Sequence, residues 1–203
     1  MKTLVIAAVI IALVGVVAYL AYSMKGPDLS AYRGLVEPKI STARDRKMLV
    51  YESVGDPNVV AGIAFSNLFK AFFKMKGKVD GLEMAAPRAR WNKPESTPKN
   101  EWVGLYGLPL PDYLEKLPDE VASAGLGVRL ETWKYGEVAE ILHVGTYSSE
   151  EPTIKKLHDF IKSKGFVIEG QHEEEYVKGP GMFFRGNPDK YQTVIRYQVK
   201  PAR

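Results

Sequence analysis

The chain of 203 residues contains no cysteine. That excludes disulfides, thiolate zinc sites, iron–sulfur ligation and a cysteine nucleophile. Histidine is scarce: His143, His158 and His172 are the only three. His172-Glu173-Glu174 offers two ligand types on one strand face, but no third ligand joins them, so no metal is expected. No glycine-rich phosphate loop is present, since Gly125-Leu126-Gly127 lacks the rest of the dinucleotide fingerprint. No serine sits in a nucleophile elbow. No cofactor is expected. Charge of one sign is also lacking. The 28 Lys and Arg are spread among 24 Asp and Glu, a formal net charge of +4. Direct nucleic-acid contact is therefore not expected. Charged residues at 26% and aromatics at 11% describe a folded body rather than a disordered one.

What is present begins with an apolar run. Thr3 to Tyr22 carries no charge over twenty residues. As a helix it is about 30 Å long, which matches the hydrocarbon thickness of a bilayer. Tyr19 and Tyr22 suit an interfacial aromatic belt. The run exceeds a usual signal-peptide core, and no small-x-small cleavage site follows. Residues 1–24 are thus read as a single-pass transmembrane anchor and 25–33 as a tether broken by Gly26 and Pro27. Lys25, Arg33, Lys39, Arg44, Arg46 and Lys47 follow the run, which places the large domain, 34–203, in the cytoplasm. Lys70, Lys74, Lys76 and Lys78 form a solvated face, with attraction to anionic lipid as the functional alternative.

The rest of the chain repeats one plan. Leu35–Ser41 and Met48–Val54 read as strands, and Gly55-Asp56-Pro57 as the turn that starts a helix. Val60, Ile63, Ala64, Leu68, Ala71, Phe72 and Met75 have helical spacing, which ends at Lys76-Gly77. Ala89–Asn92 and Trp102–Tyr106 are short strands. In the second half, Val128–Trp133 and Glu137–Val144 are strand-like, and Gly145 opens a turn. Ser148 or Ser149 then caps a helix with Pro152 in its first turn. Ile154, Leu157 and Ile161 continue that helix to Lys164-Gly165. Phe166–Ile168, Glu174–Val177 and Tyr191–Val199 are strands. Val54-Gly55 thus matches Val144-Gly145, and Trp91 before Pro94 matches Tyr176 before Pro180. The unit is about 90 residues long. The expected fold is α+β: a tandem pseudo-two-fold repeat of antiparallel sheet plus helix, repeat one 34–118 and repeat two 119–203, with a cleft between them.

Gly145-Thr146-Tyr147, Lys164-Gly165, the stretch from Glu174 to Pro180 and the last strand together resemble the GyrI-like small-molecule-binding domain, which shares its duplicated layout with SOUL-like folds. Gly34-Leu35-Val36-Glu37, Val50-Tyr51, Gly55 and Trp91-Asn92-Lys93-Pro94 look like a membrane-anchored subgroup of that family, the layout of testis-expressed protein 264. No long acidic tail is expected after the final strand, which sets this reading apart from that protein. The resemblance implies that Glu174 lines the cleft and faces cationic or polar ligands, with Tyr176 beside it. Residues i and i+2 of a strand share a face, so Glu173 and Glu175 are expected to point the other way, into solvent. Trp91 and Tyr176 occupy matching repeat positions and are the expected walls. Trp102, Tyr106 and Tyr147 are further ligand-binding candidates, set against the ordinary role of aromatics in a core. The leading expectation is a membrane-anchored module that binds a hydrophobic or amphipathic, cationic small molecule. One alternative is a hydrolase of reactive electrophiles in which Glu174 activates water. Another is a membrane adaptor that recruits protein partners through Met182-Phe183-Phe184.

Overall fold

Asp56 starts the longer helix in the way its sequence predicts. Its carboxylate accepts a hydrogen bond from the Asn58 N–H at 2.9 Å, and Pro57 occupies the first turn. The helix α1 runs from Pro57 to Met75 and buries Ala64, Leu68, Ala71, Phe72 and Met75. Gly55 before it has φ +139°, and a Cβ there would lie 2.8 Å from Val60. Gly145 has φ +144° at the corresponding turn of the second half. Both turns demand glycine, which is why the Val-Gly signal repeats. Asp56→Ala should cost about 1 kcal/mol of stability, the usual effect of losing an N-cap. A thermal midpoint equal to wild type would show that the Asn58 N–H needs no cap.

The computed structural model describes residues 30–91, 97–180 and 186–202. Strands are β1 (Lys39–Ala43), β2 (Arg46–Val54), β3 (Arg88–Trp91), β4 (Val103–Pro109), β5 (Val128–Trp133), β6 (Gly136–Val144), β7 (Phe166–Ile168), β8 (His172–Lys178) and β9 (Gln192–Pro201). After α1 come a single helical turn, α2 (Asp119–Ala122), and α3 (Glu151–Ser163). The expected strand over Leu35–Ser41 is displaced: Ser30–Leu35 form a 3-10 helix and β1 starts at Lys39. The expected serine cap is also corrected. Ser149 closes a 3-10 turn, and Glu150 takes the N-cap position of α3 without a capping hydrogen bond. Residues 1–24, with the expected anchor, lie outside the described residues, as does Met182-Phe183-Phe184. Among the described residues no helix is long and apolar enough to cross a membrane.

The strand order in the sheet is β1-β6-β9-β8-β3-β4-β2-β5, with β7 pairing β9, and every pairing is antiparallel. Exchanging β1 with β5, β2 with β6, β3 with β8 and β4 with β9 returns the same order. The sheet is therefore a palindrome centred between β3 and β8. β1 borders the second half, on β6, while β5 borders the first, on β2. Ala89 pairs with Glu174 at the centre, and Trp91 and Tyr176 each lie two residues further along. The pseudo-two-fold that relates Trp91 to Tyr176 thus passes between Ala89 and Glu174.

Each half packs its helix on the sheet. Leu49, Ala89, Tyr106 and Leu108 meet α1, and Ile141, Ile195 and Val199 meet Ile154, Leu157 and Ile161 of α3. Met48 and Val50 face the other side of β2 and pack with Trp133, Tyr135 and Val138. The sheet is covered on both faces there, so β2 reads as a continuous apolar run rather than an alternation.

Candidate ligand cavity

A cavity of about 930 Å³ opens between the start of α1, β3, the start of α3 and β8. α1 presents Pro57, Ala61, Phe65 and Phe69 to it at helical spacing. β3 contributes Trp91, the segment before β4 contributes Trp102, and the 3-10 turn before α3 contributes Tyr147. β8 contributes Glu174 and Tyr176. Five of the six candidates read from the sequence therefore meet at one cavity. Tyr106 does not line it. Its ring is 1% exposed and sits behind Phe65, edge-on at 5.3 Å.

The aromatic walls are packed edge to face. Phe65 and Tyr176 lie 5.7 Å apart at 90°, and Tyr147 and Tyr176 5.6 Å apart at 79°. Trp102 is fixed by its indole N–H, which donates to the Thr97 carbonyl at 2.9 Å. The Trp91 indole N–H is buried with no hydrogen-bond partner among the described residues, as is the Tyr106 hydroxyl. Such buried donors ordinarily find partners.

Four acids line the cavity, Asp56, Glu150, Glu151 and Glu174, against Lys99 as the one basic group among the described lining residues. Glu174 is 4% exposed. Its Oε1 lies 2.7 Å from His172 Nε2, and His172 Nδ1 lies 2.6 Å from the Tyr197 hydroxyl. With Glu174 ionised, this pattern assigns the imidazole proton to Nε2 and makes Nδ1 accept from Tyr197. Burial alone would raise the Glu174 pKa. Hydrogen bonds from His172, Glu150 and Tyr176 reverse that and hold it below the ordinary carboxylate value. Burial and the neighbouring Glu174 carboxylate push the Tyr176 phenol well above its usual value, so it stays a donor. Burial also raises the Tyr147 pKa, with the phenol of Tyr191 and the carboxylates of Glu174 and Glu150 adding to the effect.

The expectation for Glu173 and Glu175 is overturned. They do face away from Glu174, but that side is covered, and they are 2% and 5% exposed. Arg90 Nε lies 2.5 Å from Glu173, and Arg88 Nη2 lies 2.8 Å from Glu175. Arg196 bridges Glu173, Glu175 at 3.0 Å and Glu140 at 2.6 Å. The Arg90 guanidinium also stacks 4.2 Å from the Trp133 ring and 4.6 Å from Tyr135. Tyr32 donates to Glu175 at 2.8 Å. Three arginines are thus committed to three glutamates on the far face. Among the described residues Glu174 has no Lys or Arg partner. Glu150 was not singled out in the sequence, and only its place directly before α3, two residues ahead of Pro152, marks it. Among the described residues no cluster of ligating side chains suits a metal.

This fold occurs in solved structures. A hydrolase from Listeria innocua superposes with a TM-score of 0.65 at 20% identity, covering 81% of this chain and 92% of that one. An uncharacterized conserved protein from Listeria innocua gives 0.69 at 20%, covering 85% and 97%. The EcmrR C-terminal domain gives 0.56 at 12%, covering 82% and 98%. These likenesses are consistent with the GyrI-like fold that the sequence resembles. No family model matches the chain, and no curated protein does. The comparisons lend no support to the likeness to testis-expressed protein 264 or to membrane anchoring. At these identities they show the fold alone, so function rests on the site.

Proposed function

We propose that this protein is a small-molecule-binding module that takes a hydrophobic or amphipathic cation into the cavity between its repeats. One observation carries the reading. A buried carboxylate, Glu174, stands in the wall of an aromatic cavity with no lysine or arginine to neutralise it among the described residues. Phe65, Trp91, Trp102, Tyr147 and Tyr176 supply flat apolar surface and ring faces that attract a cation. Glu174 supplies the charge. The apolar run Thr3–Tyr22 would hold the module at a membrane, where amphipathic cations concentrate.

A second reading is a hydrolase in which Glu174 activates water. The fold-level likeness to a Listeria innocua hydrolase favours it. The lowered pKa of Glu174 weighs against it, because a carboxylate stabilised in its charged form is a weaker base. Titration of the full chain with methyltriphenylphosphonium and with neutral triphenylphosphine oxide, followed by tryptophan fluorescence, tests the choice. Saturable quenching by the cation, at least about tenfold tighter than by the neutral compound, is the expected result. Equal affinities would remove the role given to Glu174. Turnover of an electrophile, lost in a folded Glu174→Gln variant, would establish the hydrolase instead.

A further inference from the structure

We propose that the outward face of α1 is a docking surface for an anionic lipid bilayer. α1 buries one side against the sheet and turns a second toward the cavity with Ala61, Phe65 and Phe69. Its third side is apolar as well. Val59, Ile63 and Phe73 are 74%, 63% and 47% exposed. The helical repeat places all three on the side opposite Leu68 and Met75. A helix apolar all round is ordinarily buried all round. Among the described residues nothing covers this side of α1.

The charge pattern names the occupant. From Pro57 to Val79 the chain carries four lysines and no aspartate or glutamate. Lys70 falls on the outward side with Ile63, Lys74 falls beside it, and Lys76 caps the helix. All three are exposed, and none has an acidic partner among the described residues. Lys78 is paired with Glu120. The flanking acids, Asp56 and Asp80, stand beyond the two ends of α1.

This pattern fits a bilayer better than a protein partner. Lysine is depleted in the centre of protein interfaces, where its ammonium group must lose water. At a bilayer the lysine stem lies along apolar surface while the ammonium reaches the headgroups. Val59, Ile63 and Phe73 then enter the boundary between headgroups and acyl chains, and Lys70, Lys74 and Lys76 meet the anionic headgroups. Each lysine held near such a surface is worth about fivefold in partitioning. None of these six residues lines the cavity, so the docking surface stands or falls apart from the cation reading.

A chain without cysteine accepts a single fluorescent reporter. The full chain carrying Ile63→Cys, labelled with nitrobenzoxadiazole, is added to vesicles of phosphatidylcholine, alone or with about 30% phosphatidylserine. Val167→Cys on β7, a position 42% exposed, is the control. The Ile63 label should brighten at least about twofold on the anionic vesicles relative to the neutral ones. Nitroxide-labelled lipid should quench it there, and about 0.5 M salt should reverse the gain. Lys70→Glu with Lys74→Glu and Lys76→Glu should cut the docked fraction at least about tenfold, with the thermal midpoint unchanged. Equal brightness on the two vesicle types, or the same response at Val167, overturns the proposal. A gain that grows with protein density on neutral vesicles assigns the face to a second copy of the chain and overturns it too.

Discussion

Glu173→Ala should destabilise the fold by about 3–5 kcal/mol, the usual cost of removing one member of a buried ion network. The thermal midpoint of a chain this size should fall by roughly 10 °C. The loss is large because of what remains. Arg88, Arg90 and Arg196 all point at Glu173, and without it the buried face carries three guanidiniums against Glu140 and Glu175. The network also gives a pH dependence. Burial would raise the Glu173 pKa, but Arg196, Arg90 and Arg88 pull it below the ordinary value. Glu175 is lowered likewise: Arg88 and Arg196 outweigh its burial. A carboxylate whose folded pKa is depressed stabilises fully above its unfolded pKa, about 4.3, and loses that contribution as pH falls through the folded value. Wild-type stability should hold from pH 7 to about pH 5 and then drop with acid. Glu173→Ala should show a shallower acid limb. A loss below about 1 kcal/mol would mean that water reaches these arginines and the network is not buried in solution.

Glu174→Gln should weaken binding of methyltriphenylphosphonium by about 2 kcal/mol or more, near thirtyfold in Kd. Glutamine keeps the shape and can still accept from His172, so the variant removes charge and little else. Binding of triphenylphosphine oxide should change by less than about threefold. The comparison separates charge from packing, since both compounds press on Trp91 and Tyr176. An unchanged Kd for the cation would assign affinity to the aromatic walls alone. A collapse for both compounds would show that Glu174 holds the cavity in shape rather than reading ligand charge.

Periodicity made much of this fold legible. α1 and the core of α3 follow from apolar spacing, and the two Val-Gly turns announce the repeat because both need positive φ at glycine. Strand alternation also separated Glu174 and Tyr176 from Glu173 and Glu175. What alternation cannot say is whether the second face is covered. That depends on Arg88, Arg90 and Arg196, which lie far from Glu173 in sequence and meet it only through the β3–β8 and β8–β9 registers. Glu173 and Glu175 therefore looked solvated while both are buried. Glu150 escaped notice for a similar reason, because a lone acid before a helix is common and only the fold brings it to the same cavity as Glu174. Tyr106 looked like a wall residue, but its side chain is absorbed by the core beneath α1.

The crossed outer strands have a consequence for biosynthesis. β1 leaves the ribosome early, yet its sole partner among the described strands, β6, lies nearly a hundred residues later. β5 meets a waiting β2, but β1 stays unpaired until the second half emerges. The first half cannot complete its own edge and finish alone. The last strand, β9, inserts between β6 and β8, so the central register closes only when translation is nearly over. Folding is consequently a late, whole-chain event dominated by distant contacts, the regime in which closure is slow. Nascent chains stalled before β9 should therefore be open to protease throughout, and protection should arrive in one step rather than half by half.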